Sequence, residues 1–323
     1  MIDLTTDHVS EVLGVEPGEH RVATAAPKLL FDRWEAEAWS VPDLRLEEDV
    51  HSWSGLTAFA RTELGGVLEQ LLTGETCVTQ TLTPLIDFAP DFDQQLFLTT
   101  QLADEARHVR FFGAYRREVL GLADAVEEDA YGRYFAPALD AATKAVRERP
   151  DDEGGWFEAL AHYHLVTEAV LAATALRSTL RMLRRTEVLP RLLAGLVHVA
   201  RDESRHVQFG IGAAQVGVDA GYGDRIAACY LTAIELAARV IVDSQRFVEI
   251  PPVAFAGPLR QAQIHEQWDF ARRKMLRGLA ATGLQAHSAA AADAWMNATR
   301  QGLDEYRELW SADHPLSSAL EGA

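Results

Sequence analysis

Cysteine is scarce in this 323-residue chain: Cys77 and Cys229 are too few for a disulfide framework and form no Cys-x-x-Cys pair, which fits a reducing cytoplasm. Positive charge is also short. Thirty Lys and Arg against 48 Asp and Glu leave a formal charge of −18, which repels phosphate backbones and argues against nucleic acid or an anionic membrane as partner. Long apolar runs are missing, since the most apolar segment, 226–242, carries Glu235 and Arg239 and is too short and charged to span a bilayer. Met1-Ile2-Asp3-Leu4 opens an acidic, polar stretch, so no signal peptide is expected. No stretch reads as a convincing strand.

What the chain does have is a hydrophobic fraction of 48%, arranged mostly at helical spacing. A lead-in over 1–26 precedes a short amphipathic helix that opens at Pro27, carries Leu29, Leu30, Trp34 and Ala38, and closes before Pro42. A long helix over 54–86 is weakened by Gly65, Gly66 and Gly74, with a kink expected near Gly74. Pro84 and Pro90 break the chain, and a second long helix over 92–120 ends at Gly121, completing a hairpin. A modest helix over 131–147 leads to a second hairpin, 156–184 and 190–218. Helices over 222–248, 260–281 and 285–311 and a loose tail from 312 complete the expectation. The chain thus reads as one all-α domain over 1–323, with extra helices in 219–311.

One motif occurs in both hairpins: Asp104-Glu105-Ala106-Arg107-His108 and Asp202-Glu203-Ser204-Arg205-His206. A Glu and a His three apart share one helix face, and two such pairs plus two lone Glu residues are the donor set of a dinuclear four-helix bundle. Residues equally far from an antiparallel turn lie at one height. Glu105 is fifteen residues past Pro90, and fifteen residues before it stands Glu75, whereas Glu63 and Glu69 fall roughly 9–18 Å too far along. In the second hairpin Glu168 mirrors Glu203 about the loop near Arg185 and Thr186. Glu168 sits in an apolar run, Leu165-Val166-Thr167-Glu168-Ala169-Val170-Leu171, where a bare carboxylate is costly unless a cation compensates it. The candidate ligands are therefore Glu75, Glu105, His108, Glu168, Glu203 and His206. Asp104 and Asp202 are candidates to accept hydrogen bonds from the facing imidazoles, Arg107 and Arg205 to offset the acidity, and His162, His164 and His198 read as structural.

These residues resemble the ferritin-like superfamily of di-metal carboxylate proteins and, over about Trp34 to Val218, the ribonucleotide reductase small-subunit group. That subunit usually stores a radical on a Tyr seven residues after the motif Glu. Here that position is Phe112, Tyr115 lies on another face, and 316–323 holds no aromatic for a tail that engages a large subunit. A closer likeness is to the ligand-binding oxidases related to that subunit, which carry a Gly-Glu-x-x-Val-Thr segment and a Leu-x-Pro-Leu-Ile turn. This chain has Gly74-Glu75-Thr76-Cys77-Val78-Thr79 and Leu82-Thr83-Pro84-Leu85-Ile86, with Tyr163 five residues before Glu168.

The resemblance implies a ferritin-like fold and an oxidoreductase that uses dioxygen for a two-electron C–H oxidation. It implies manganese on Glu75, Glu105 and His108 and iron on Glu168, Glu203 and His206, with Glu105 bridging and a di-iron pair as the alternative. It also implies a long-chain fatty acid at the metals, a homodimer, and an ether cross-link between Val78 and Tyr163. Intrinsic affinity would favour iron at both positions. Regular α-helix offsets Tyr163 from Glu168 by roughly 140°, so either the helix departs from regularity near Glu168, as a π-bulge would make it, or Tyr163 reaches around it. A reductase small subunit and a non-enzymatic iron store are the competing readings, although a store needs little more than one bundle.

Overall fold

A computed structural model describes residues 21, 23–122, 131–242 and 258–320. The lead-in over 1–20, the last turns of the helix expected to reach 248, the Pro251-Pro252 break and 321–323 lie outside the described residues.

Helix α1 (Pro27–Ala36) begins with proline, whose fixed φ suits a first helical position, and buries Leu30. Short turns over 42–54 lead to α2 (Ala58–Thr81), where the Thr57 hydroxyl accepts from Ala60 N–H at 3.2 Å and satisfies one of the orphan donors of the first turn. A kink was expected near Gly74; α2 runs as unbroken α-helix across it. Its buried stripe of Leu64, Leu68, Leu71 and Val78 holds it against α3 (Phe92–Tyr115), which outweighs the roughly 1 kcal/mol propensity cost of each glycine. Asp91 caps α3 through Gln94 N–H at 2.9 Å, and Gly121, at φ 69°, ends the π turn that prolongs it.

After α4 (Ala136–Glu148), the long helix α5 (Glu153–Thr186) forms the second hairpin with α6 (Pro190–Gly217). α5 is α-helical at both ends and π-helical over Ala161–Ala172, so the departure from regularity near Glu168, the first of the two alternatives, is present and spans twelve residues. By length and composition α5 could cross a membrane, but 89% of its apolar window is buried within the protein, as for the core helix of a bundle. A helix apolar all round must be covered all round. Helices α2 and α6 cover one side, and α7 (Gly223–Ile241) and α8 (Pro258–Thr282) the other, with α9 (Ser288–Trp310) packed on α7.

Two close crossings set the spacing of the bundle. A Cβ at Gly195 would stand 2.3 Å from the Phe111 ring, and one at Gly210 would stand 2.2 Å from His164 Cβ. The tail expected to be loose from 312 is packed in part: Leu316 is fully buried and its N–H donates to His314 Nδ1 at 3.0 Å. Leu316 and Leu320, four residues apart, are too few to give a clear periodic signal. Among the described residues there is no strand.

Candidate metal centre

Four helices deliver the predicted donors to one buried volume: Glu75 from α2, Glu105 and His108 from α3, Glu168 from α5, and Glu203 and His206 from α6. All six are buried. They form two overlapping groups, Glu75, Glu105, His108 and Glu203, and Glu105, Glu168 and His206, with ligand atoms in each group within 4.8 Å of one another.

Both imidazoles turn Nδ1 inward. His108 Nδ1 lies 3.2 Å from Glu75 Oε2, 3.6 Å from Glu105 Oε2 and 3.5 Å from Glu203 Oε1. His206 Nδ1 lies 3.4 Å from Glu105 Oε1 and 3.8 Å from both Glu168 Oε1 and Glu203 Oε2. Glu105 therefore has one oxygen near each imidazole. Glu203, which the resemblance groups with Glu168 and His206, likewise has one oxygen near each imidazole.

The donors fit a pair of cations. Glu105 Oε2, Glu168 Oε2, Glu203 Oε2 and His206 Nδ1 are buried and make no hydrogen bond, in an interior where such atoms are almost always paired. Burial pushes the Glu105 carboxyl up to about 6, and burial likewise raises Glu203 and lifts Glu168 well above the carboxylate range. For His108 and His206 burial opposes protonation, but the surrounding carboxylates outweigh it and lift both well above the usual imidazole value. Protein groups alone thus leave four carboxylates competing for two imidazoles and one amide. Two divalent ions would supply the missing charge, and carboxylate oxygen with imidazole nitrogen suits iron or manganese.

The outward nitrogens are tethered across the hairpins. His108 Nε2 stands 3.2 Å from Asp202 Oδ2, and His206 Nε2 stands 3.3 Å from Asp104 Oδ2. Each aspartate is held in turn: Trp34 Nε1–H donates to Asp104 at 2.9 Å, and Trp39 Nε1–H donates to Asp202 at 2.7 Å. Arg205 bonds both aspartates, and Arg107 donates to Asp104 at 2.8 Å. Burial would raise the Asp202 carboxyl, but His108, Arg205 and Trp39 together hold it well below the usual range.

Gln101 was not singled out from the sequence. Its amide donates to Glu168 Oε1 at 2.6 Å and to Glu105 Oε1 at 3.3 Å, while its carbonyl accepts from His164 Nε2 at 2.9 Å. The signal was present, since Gln101 is one helical turn before Glu105. His162 stacks on Phe135 and His198 on Trp39, and neither joins the donor groups.

Phe112, at the position where a reductase subunit usually places its radical Tyr, packs against Phe111. Tyr115 donates to Asp49 at 3.0 Å and belongs with Phe111 and Phe112 to a second core. Tyr163 is fully buried, with its ring 4.8 Å from that of His164. In the π segment hydrogen bonds run five residues back, as from Ala173 N–H to Glu168 O, so Tyr163 and Glu168 lie one turn apart on similar faces. Val78 lines a cavity of about 320 Å³ that opens on Glu75, Glu105, Glu168 and Glu203.

No known protein-family profile matches the chain. Solved structures do resemble it. One is a valine-to-isoleucine variant of an R2-like ligand-binding oxidase with an anaerobically reconstituted Mn/Fe cofactor, at TM-score 0.56 and 21% identity over 84% of this chain and 91% of the other. A tyrosine-to-phenylalanine variant of an R2-like ligand-binding oxidase, aerobically reconstituted with Mn/Fe, matches to the same extent. A third, with its metal cofactor aerobically reconstituted and then photoconverted, matches at TM-score 0.54 and 19% identity over 85% of this chain and 91% of the other. At this identity the likeness establishes the fold: an all-α, ferritin-like bundle with additional helices.

Proposed function

We propose that this chain is a dinuclear oxidase that holds one manganese and one iron and uses dioxygen to oxidise an unreactive C–H bond. The observation that carries the reading is the convergence of six buried donors, four of whose atoms lack any hydrogen-bonding partner, at the head of a cavity. Glu75, Glu105 and His108 would hold one ion and Glu168, Glu203 and His206 the other, with Glu105 and Glu203 placed to touch both. When bound, such a pair supplies dioxygen activation and the oxidising power that an unactivated carbon requires.

The residues do the positioning. Asp202 and Asp104 keep the Nε2 protons of His108 and His206 outward and so present each Nδ1 lone pair to the metals. Gln101 holds Glu168 and Glu105 in place. The apolar cavity wall of Leu71, Val78 and Leu171 excludes water and suits a long-chain fatty acid with its carboxylate toward the metals.

Within the same reading, Val78 and Tyr163 become joined. The Val78 Cβ–H and Tyr163 O–H bonds break and a Cβ–Oη bond forms. Two protons and two electrons leave, and dioxygen takes up both, balanced as hydrogen peroxide. A homodimer in the cytoplasm completes the reading, and sedimentation velocity checks the assembly.

Anomalous scattering at the manganese and iron edges, on protein supplied with both metals, is the primary test. Two ions per chain, one position being lost in Glu168→Ala, are expected. Less than one equivalent in the parent protein, or normal occupancy in the variant, would refute the site. Peptide mapping after exposure to metal and oxygen should show the Val78 and Tyr163 segments joined, and Tyr163→Phe should abolish the link.

A further inference from the structure

The cavity has two chemically different ends. From the metal cluster its α2 wall steps outward through Glu75, Leu71 and Val67, and its α5 wall through Glu168, Leu171 and Ala175. Beyond this apolar stretch the lining turns cationic: Arg177, Arg181 and Arg185 follow one another at intervals of four along α5 and share one face. At 1.5 Å per residue Arg177 and Arg181 lie about 13–20 Å along the helix from Glu168.

Arg177 and Arg181 both pair with a single carboxylate oxygen, Oε1 of Glu266 on α8, with Arg177 at 3.2 Å. Their side chains are only 21% and 22% exposed. Further positive charge stands behind them. The Arg177 guanidinium lies 4.4 Å from the centre of the Phe270 ring and the buried Lys274 ammonium 6.0 Å from it. Burial, and then the neighbouring Arg181, lower the Arg177 pKa, with Arg273 adding to the effect. The acidic lining residues at this end are Glu63 and Glu266, against three arginines. In a chain of net charge −18, two part-buried arginines with the exposed Arg185 beside them at the end of a cavity call for an anion.

We propose that the outer end of the cavity is an anion-binding subsite, and that the molecule it takes carries a negatively charged group at the end remote from the metal cluster. This rests on reading the cavity as the ligand pocket of the proposed oxidase. An apolar chain fills the middle, the metals meet one end, and the Arg177 and Arg181 guanidiniums meet the other.

The test is calorimetric binding of hexadecanedioate and of hexadecanoate to the metal-loaded protein. The diacid should bind about tenfold more tightly than the monoacid, and the Arg177→Gln/Arg181→Gln double variant should lose that preference while keeping its affinity for the monoacid. A second variant guards against a folding defect: Glu266→Gln removes the competing carboxylate and should tighten diacid binding several-fold. Equal binding of the two acids, a preference that survives in the double variant, or weaker diacid binding in Glu266→Gln would each overturn the subsite and leave the metal-oxidase reading standing. Failure of both acids to bind would overturn the ligand reading and the subsite together.

Discussion

His108 and Asp202 belong to different hairpins, yet their side chains meet at 3.2 Å, and His206 and Asp104 repeat the contact in mirror image at 3.3 Å. Each half of the internal repeat orients the imidazole of the other. The aspartates are also where Trp34, Trp39, Arg107 and Arg205 converge, so one buried layer fixes both ring orientations.

Asp202→Ala should lower metal affinity about 10–100-fold, because an imidazole without its outer acceptor loses both tautomer control and basicity. A competition titration against a chelator of known affinity reads this directly. Unchanged affinity in both Asp202→Ala and Asp104→Ala would mean that the crossed contacts do not serve the metals.

Gln101→Leu should destabilise the metal-free protein by about 1–3 kcal/mol, because it strips a donor from Glu168 and an acceptor from the His164 ring in a fully buried setting. Burial pushes His164 down to about 3, so the ring is neutral at pH 7 and has no second charge to fall back on. Urea unfolding measures the loss; a midpoint within error of the parent would contradict it.

Gly210→Ala should cost about 1–3 kcal/mol even though alanine is the better helix former, because the new methyl would meet His164 at 2.2 Å across the α5/α6 crossing. Gly66→Ala, on α2 with nothing within 4 Å of the added methyl, should stabilise by about 0.5–1 kcal/mol. The contrast in melting temperature between the two is the measurement, and movement in the same direction would show that propensity, rather than packing, decides both.

Lys274 gives a pH dependence of definite sign. Burial lowers its ammonium from 10.5 to about 8, so between these values the unfolded chain binds more protons than the folded one and stability rises with pH. Below about 8 both states are protonated, and the net penalty that the lowered pKa expresses is present in full. Lys274→Met should therefore raise stability at pH 7, by about 2–3 kcal/mol, and the gain should shrink as pH passes from about 8 toward 10.5. A gain that is constant or grows over that range would assign the effect to packing instead of charge.

Much of the candidate site was legible because helical spacing and hairpin symmetry convert sequence distance into spatial distance. Glu105 with His108 and Glu203 with His206 follow from three-residue spacing, and Glu75 and Glu168 from reflection about the turns. The helix ends were legible where proline or glycine marks them, as at Pro190 and Gly121. Trp34 and Trp39 were not, because they reach Asp104 and Asp202 from 70 and 163 positions away, and no local pattern encodes such a contact. The reach of Glu203 toward both imidazoles is a matter of rotamer. The extent of the π segment was hidden too, since no residue type in Ala161–Ala172 marks that hydrogen-bond ladder; a resemblance and an angular misfit pointed only to a departure from α-helix somewhere near Glu168.

The reciprocal pairs Asp104 with His206 and Asp202 with His108 have the form of an isologous contact, in which residue i of one copy meets residue j of the other and j meets i in return. Such contacts arise between identical subunits about a two-fold axis; here both copies lie in one polypeptide. The arrangement is what duplication and fusion of a self-associating helical hairpin would leave behind. In such an ancestor neither hairpin alone could have oriented its own histidine, so dimerisation would have been a condition of holding metal before one chain carried both halves.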